Sequence, residues 1–97
     1  MRLDDVLRFN IENRKLLAWT AKNSYTVPLR LYQVKELLDQ RFLQISQSEI
    51  VQVSMIDHLT LLPNGLIKMT LKNGDRTFSS RRYLKSIKKR LELYKNK

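Results

Sequence analysis

The sequence predicts a strand-rich α+β fold, with a short helix after the third strand and a second helix at the C-terminus. Three observations predict it. Short β-favouring runs alternate with polar turn signals over most of the chain, and two segments instead carry apolar residues at helical spacing. The length of 97 residues, 42% of them hydrophobic, suits a single domain over 1–97 with a real core. Two glycines, two prolines and 29% charged residues place it away from low-complexity and disordered chains.

The elements follow in order. Val6-Leu7-Arg8-Phe9-Asn10-Ile11 and Lys15-Leu16-Leu17-Ala18-Trp19-Thr20 flank the polar Glu12-Asn13-Arg14, a hairpin pattern. Ala21-Lys22-Asn23-Ser24 is a second turn, and Tyr25-Thr26-Val27 a third strand. Pro28 has no amide hydrogen for a ladder and belongs at a strand end or edge. Over residues 31–40, Leu31, Val34, Leu37 and Leu38 fall on one helical face, with Lys35, Glu36 and Asp39 largely outside it. Arg41 leads into Phe42-Leu43-Gln44-Ile45. Ser46-Gln47-Ser48-Glu49 then reads as a polar loop, in which either serine is placed to cap a helical turn. Ile50-Val51-Gln52-Val53 is extended. Residues 56–62 and 66–71 form the clearest hairpin, joined through Pro63-Asn64-Gly65, because Asn-Gly supplies positive φ. Lys72-Asn73-Gly74-Asp75 is a second such turn before an edge-like strand, Arg76-Thr77-Phe78-Ser79. A helix over residues 81–94 closes the chain, with Ser80 as N-cap and Leu84, Ile87, Leu91 and Tyr94 on its apolar face.

Charge carries the first functional information. The chain has 19 Lys+Arg against 9 Asp+Glu, a formal net of +10. Residues 1–71 hold nine basic and seven acidic side chains, residues 72–97 ten and two, so the last quarter carries +8 of the excess. Such a field attracts a polyanion: nucleic acid, an anionic membrane surface or an acidic protein. The absence of cysteine excludes disulfides, thiolate catalysis and Cys-rich zinc sites, and fits a reducing cytoplasm. No apolar run approaches the roughly 20 residues of a membrane span, and Met1-Arg2-Leu3-Asp4-Asp5 lacks a signal-peptide apolar region. A cytoplasmic protein without membrane insertion is expected.

Catalysis has no positive support. His58 is the only histidine and reads as a strand-surface or core residue. Asp4-Asp5 would point apart on a strand. No nucleophile–base–orienter set, phosphate-binding glycine loop or metal-ligand spacing is present, so a non-enzyme without cofactor or metal is expected. Trp19 and Phe42 sit in apolar runs and read as core. The basic last helix admits three readings: lying on a membrane, entering a DNA groove, or packing its apolar face on a sheet while its cations face solvent. The third is favoured, since a sheet of this size needs a cover. Arg81 and Arg82, at a strand–helix junction, fit bidentate contacts to guanine or phosphate and equally fit a surface ion pair. Ser46-Gln47-Ser48 offers hydroxyls and an amide to DNA or serves as a capping loop, and Glu12-Asn13-Arg14 is an exposed hairpin tip or a probe.

Taken together, these segments resemble the LytTR domain of bacterial transcription regulators. The anchors run from about Leu3 to Leu93: the opening Leu3-Asp4-Asp5-Val6 strand, the helix around Leu29 to Leu38, the run Phe42-Leu43-Gln44-Ile45-Ser46-Gln47-Ser48-Glu49-Ile50-Val51, and Leu71-Lys72-Asn73-Gly74 followed by Ser79-Ser80-Arg81-Arg82-Tyr83. The resemblance implies an elongated stack of small, mostly antiparallel β-sheets whose inter-strand loops enter successive major grooves of double-stranded DNA. It implies base contacts from Arg14, Gln47 and Arg81, positioning or phosphate contacts from Asn13, Ser48 and Arg82, and further phosphate contacts from Lys15, Lys85 and Lys88. Gln44, Gln47, Gln52 and Ser79 depart from the family's usual residues, and are expected to alter the DNA sequence read. The chain contains no receiver domain, and its opening resembles stand-alone regulators. The function expected is sequence-specific duplex DNA binding for transcriptional regulation, as a homodimer on repeated half-sites, with a regulatory protein partner as a further expectation. The alternatives are an RNA-binding module, against which the dispersed Tyr25, Tyr32, Tyr83 and Tyr94 argue, and an interaction domain for an acidic or membrane-associated partner.

Overall fold

The computed structural model describes residues 2–95, with side chains in the last helix described as far as residue 92. Eight strands form two antiparallel sheets. The first has five strands: β1 (Arg8–Glu12), β2 (Lys15–Trp19), β3 (Ser24–Val27), β4 (Phe42–Ser46) and β5 (Glu49–Gln52), in the order β3-β2-β1-β5-β4. The second has three: β6 (Ile56–Leu61), β7 (Leu66–Leu71) and β8 (Arg76–Ser80), in sequential order. A helix, α1 (Leu31–Leu37), links β3 to β4, and α2 (Leu84–Lys95) ends the described chain. The principal extents are 34 × 32 × 25 Å.

Alternation along the strands of the five-stranded sheet divides its side chains between two cores. Phe9, Leu16, Ala18, Phe42 and Ile50 face α1 and pack with Leu31 and Val34. Leu43, Ile45 and Val51 face the other way, onto Ile67, Met69 and Leu71 of β7 and Ile87 of α2. Every residue of β5 is therefore buried, including Glu49 and Gln52. The last helix covers the second core as the apolar spacing predicts, with Ile87 fully buried and Leu84 and Leu91 packed beside it. Tyr94, assigned to the same face, has its side chain outside the described residues. Arg90 turns inward, donating from a terminal nitrogen to the carbonyls of Gln40 (2.6 Å) and Phe42 (3.1 Å), and so ties α2 to the start of β4.

Several expectations are corrected. Leu3–Asp5 is a 3-10 turn, closed by Val6 N–H donating to Leu3 O, and not a strand. The first helix stops at Leu37, because Leu38 is extended at φ −88, ψ 151. Leu37 lies 60° beyond Val34 around the helix and is 74% exposed, so it is not part of the apolar face. Ser46 and Ser48 cap no helix; Ser46 ends β4, Ser48 lies in the hairpin turn with Gln47, and Glu49 is the first residue of β5. Trp19 belongs to neither core. It is half-buried, and its indole N–H donates to Asn10 Oδ1 at 2.6 Å. The turn before α2 is a separate 3-10 segment, Arg81–Tyr83, and Ser80 holds the N-cap position without a side-chain capping bond.

The turns also depart from the simplest reading of Asn-Gly. Gly65 and Gly74 have φ of 88° and 91°, while positive φ at non-glycine positions occurs at Asn13 (49°) and Arg14 (66°). Each Asn-Gly turn closes a longer loop with glycine in the left-handed position, and the asparagine side chain accepts an N–H two residues on, from Leu66 or Asp75. The two-residue turn with both central residues left-handed, between paired Glu12 and Lys15, is Asn13-Arg14.

Candidate nucleic-acid interface

Strand pairing brings two hairpin tips to one end of the five-stranded sheet. β1 pairs with β5 so that Asn10 opposes Glu49, and Ile11 N–H then donates to Ser48 O at 3.1 Å. The β1–β2 tip, Asn13-Arg14, thus stands beside the β4–β5 tip, Gln47-Ser48. Pairing of Val27 with Leu16 returns the chain to this same end before α1. Arg30 consequently borders two shallow depressions: one shared with Arg14, Lys15 and Gln33, the other with Lys35, Gln44, Gln47 and Ile11. Arg30 and Lys35 were not singled out from the sequence. Nothing local marks them; only the long-range pairing places them between the tips.

Arg81 stands at an end of the second sheet. Leu66 pairs with Ser80, and the Arg81 stem lies on the β6–β7 turn, 3.5 Å from where a Cβ on Gly65 would sit. The Arg82 guanidinium lies 5.6 Å from the centroid of the Tyr83 ring. Lys85 and Lys88 follow on the outer side of α2. All nine residues assigned to DNA from the sequence are exposed: Asn13, Arg14, Lys15, Gln47, Ser48, Arg81, Arg82, Lys85 and Lys88.

Cations elsewhere do structural work. Among the described residues the ion pairs use Arg2, Arg8, Arg41 and His58, and none uses a cation of the two tips or of the Arg81–Lys88 segment. Arg41 bonds Asp4 and Asp39, and its guanidinium holds the Asp39 carboxyl below its ordinary value. Arg8 is largely buried against Trp19 and donates to Glu49 Oε2 at 3.1 Å, while Thr77 Oγ1 donates to Glu49 Oε1 at 2.6 Å. Removing one partner of such a buried pair costs about 3–5 kcal/mol.

The departures from the family pattern divide by burial. Gln52 is buried and donates to the carbonyls of Val6 (3.0 Å) and Asp4 (3.3 Å), while Ser79 is buried and donates to Ile45 O at 2.6 Å. Gln44 is half-buried and donates to Ser46 O. These three bond the scaffold, and of the four Gln47 is the one exposed at a hairpin tip.

The model of the LytTr DNA-binding domain matches residues 1–92. The chain belongs to that family. That family is one of DNA-binding domains. Its relatives include uncharacterized HTH-type transcriptional regulators of Staphylococcus aureus: those of strains NCTC 8325 and COL are each 46% identical over 93 residues, 96% of this chain. The chain spans 63% of their length. The LytTr DNA-binding domain of a protein described as a methyl-accepting/DNA response regulator from Bacillus cereus has the same fold, with a TM-score of 0.85 at 21% identity over 94% of this chain and 84% of that one. In this LytTr domain the two described α-helices are separated by five strands, so they do not form a helix-turn-helix unit. No described helix is long and apolar enough to cross a membrane.

Proposed function

We propose that this LytTr domain reads duplex DNA sequence with its strand-connecting tips, and through that reading regulates transcription in the bacterial cytoplasm. Arg14, Gln47 and Arg81 contact base edges in successive major grooves. Asn13, Ser48 and Arg82 position the tips, and Lys15, Lys85 and Lys88 contact phosphates, joined by Arg30 and Lys35. The observation that carries the reading is the conformation of Arg14. An arginine at φ 66 is a costly choice where glycine would fit, and it holds a guanidinium at the apex of a hairpin beside Gln47-Ser48. Two copies on a direct or imperfect repeat would present these tips one helical turn apart, and the regulatory protein partner belongs to the whole regulator.

The test is selection from random-sequence duplexes at near-physiological salt. Enrichment of one short motif recurring about 10–10.5 bp apart supports a dimeric sequence reader. A pool that stays random assigns the positive charge to another partner. The RNA alternative gains nothing from the exposed aromatics among the described residues, since Tyr25, Tyr32 and Phe78 lie on β3, α1 and β8 and no one sheet face presents them together.

A further inference from the structure

The two reading surfaces sit on different sheets, so their spacing depends on how those sheets are joined. Gln47-Ser48 belongs to the five-stranded sheet, Arg81 to the end of the three-stranded one. The junction contains an unusual amount of polar chemistry for a core. Glu49 follows the tip directly and is buried on β5. It accepts from Thr77 of β8 across the sheet interface, at 2.6 Å, and from Arg8 of β1 at 3.1 Å. Two residues further along β8, Ser79 donates to Ile45 O of β4 at 2.6 Å. Arg8 also reaches towards Asp75, 3.9 Å away in the turn before β8.

Stability alone does not account for this arrangement. Apolar side chains of similar volume commonly serve as well as a buried ion pair, or better. The Arg8 Nε is buried without a hydrogen-bond partner among the described residues, so the network is not even fully satisfied. Directional bonds do what apolar contacts do not: they fix the register of β8 against β4 and β5. One end of that register carries Gln47-Ser48, and the chain leaving β8 carries Arg81.

We propose that the Arg8-Glu49-Thr77 network is a positioning device that sets the spacing of the β4–β5 tip relative to Arg81, and so governs DNA-sequence discrimination without touching DNA. The inference rests on the reading that these tips contact bases. Thr77→Val is the principal variant, since it keeps shape and removes the hydroxyl; Thr77→Ser restores the donor, and Glu49→Gln removes the charge. The cysteine-free chain allows paired spin labels at Ser48→Cys and Arg82→Cys, which measure the spacing without DNA. With Thr77 intact the distance distribution should be narrow; with Thr77→Val it should broaden or shift, and Thr77→Ser should recover it. In unlabelled protein, Thr77→Val and Glu49→Gln should weaken binding to the selected duplex by about tenfold, on the scale of one lost base contact, with random-duplex affinity and salt slope held. A folded Thr77→Val variant with an unchanged distance distribution overturns the positioning role. So does one that keeps full sequence preference. If the parent protein shows no preferred sequence, the base-reading assignment fails, and the label distances still decide whether the network sets the spacing.

Discussion

At Arg14, with φ 66, the proposed base-reading role is set against stability at a single residue. The left-handed conformation costs a non-glycine residue roughly 1–2 kcal/mol, and glycine's greater freedom in the unfolded chain returns roughly 0.5–1 of that. Arg14→Gly should therefore raise the unfolding free energy by about 0.5–1 kcal/mol in urea titration while lowering the preference for the selected duplex. A variant that gains stability and keeps its preference would remove Arg14 from the reading set. Arg81→Ala should cost about 1–3 kcal/mol on the preferred site and relax one base position, measured by competition against single-base variants. Equal weakening on random and preferred duplexes would make Arg81 a phosphate contact. The identity of both arginines was visible in the sequence, but not the conformation of one or the setting of the other. Asn13-Arg14 lacks the glycine that normally announces a two-residue primed turn, and the seat of Arg81 on the Gly65 turn depends on the pairing of Leu66 with Ser80.

At the scale of elements, α2 separates packing from charge. Ile87 is buried and Arg90 is engaged with backbone carbonyls, whereas Lys85, Lys88 and Lys89 are exposed. Lys88→Ala should weaken binding to all sequences alike and make the slope of log K against log salt shallower by about 0.9. The same periodicity that predicted the helix predicted its apolar face, because both follow from 3.6 residues per turn. It did not distinguish Arg90 from its lysine neighbours, since the carbonyls of Gln40 and Phe42 that receive it are 50 and 48 residues away. The junction of α1 and β4 carries a pH dependence. Hydrogen bonds from Arg41 depress the folded-state pKa of Asp39 below its unfolded value near 3.8. The stabilisation is thus present above that value and is lost as pH falls through the depressed one. The difference in acid-unfolding curves between parent and Asp39→Asn should be small, because the pair faces solvent, and should vanish at the acid end.

For the whole molecule, +10 net charge supplies attraction without sequence information. If six phosphates are contacted, log K should fall with log salt at a slope of about −5, on preferred and random duplexes alike. A slope near zero would mean that the exposed cations do not meet the DNA backbone. Charge asymmetry towards the C-terminus was legible at once, yet the structure adds a second basic group at the other end of the chain's order. Arg14, Lys15, Arg30 and Lys35 come together around the sheet end that also carries Gln47. Their grouping is a property of the strand order β3-β2-β1-β5-β4, which the local sequence does not encode.

The sequence by itself determined the succession of strands and helices, the positions of most turns, the two helical apolar faces in outline and the excess of positive charge. Those properties follow from periodicity and turn chemistry within a few residues. Tertiary structure alone decided which polar side chains are exposed and which are enclosed. Gln47 and Ser48 project while the adjacent Glu49 is buried, and Gln52 and Ser79 bond the scaffold. The reason is that burial of a polar group requires partners, and here they come from afar: Arg8 is 41 residues from Glu49, and Thr77 is 28. A polar run such as Ser46-Gln47-Ser48-Glu49 looks uniform until the strands that satisfy one of its members are in place.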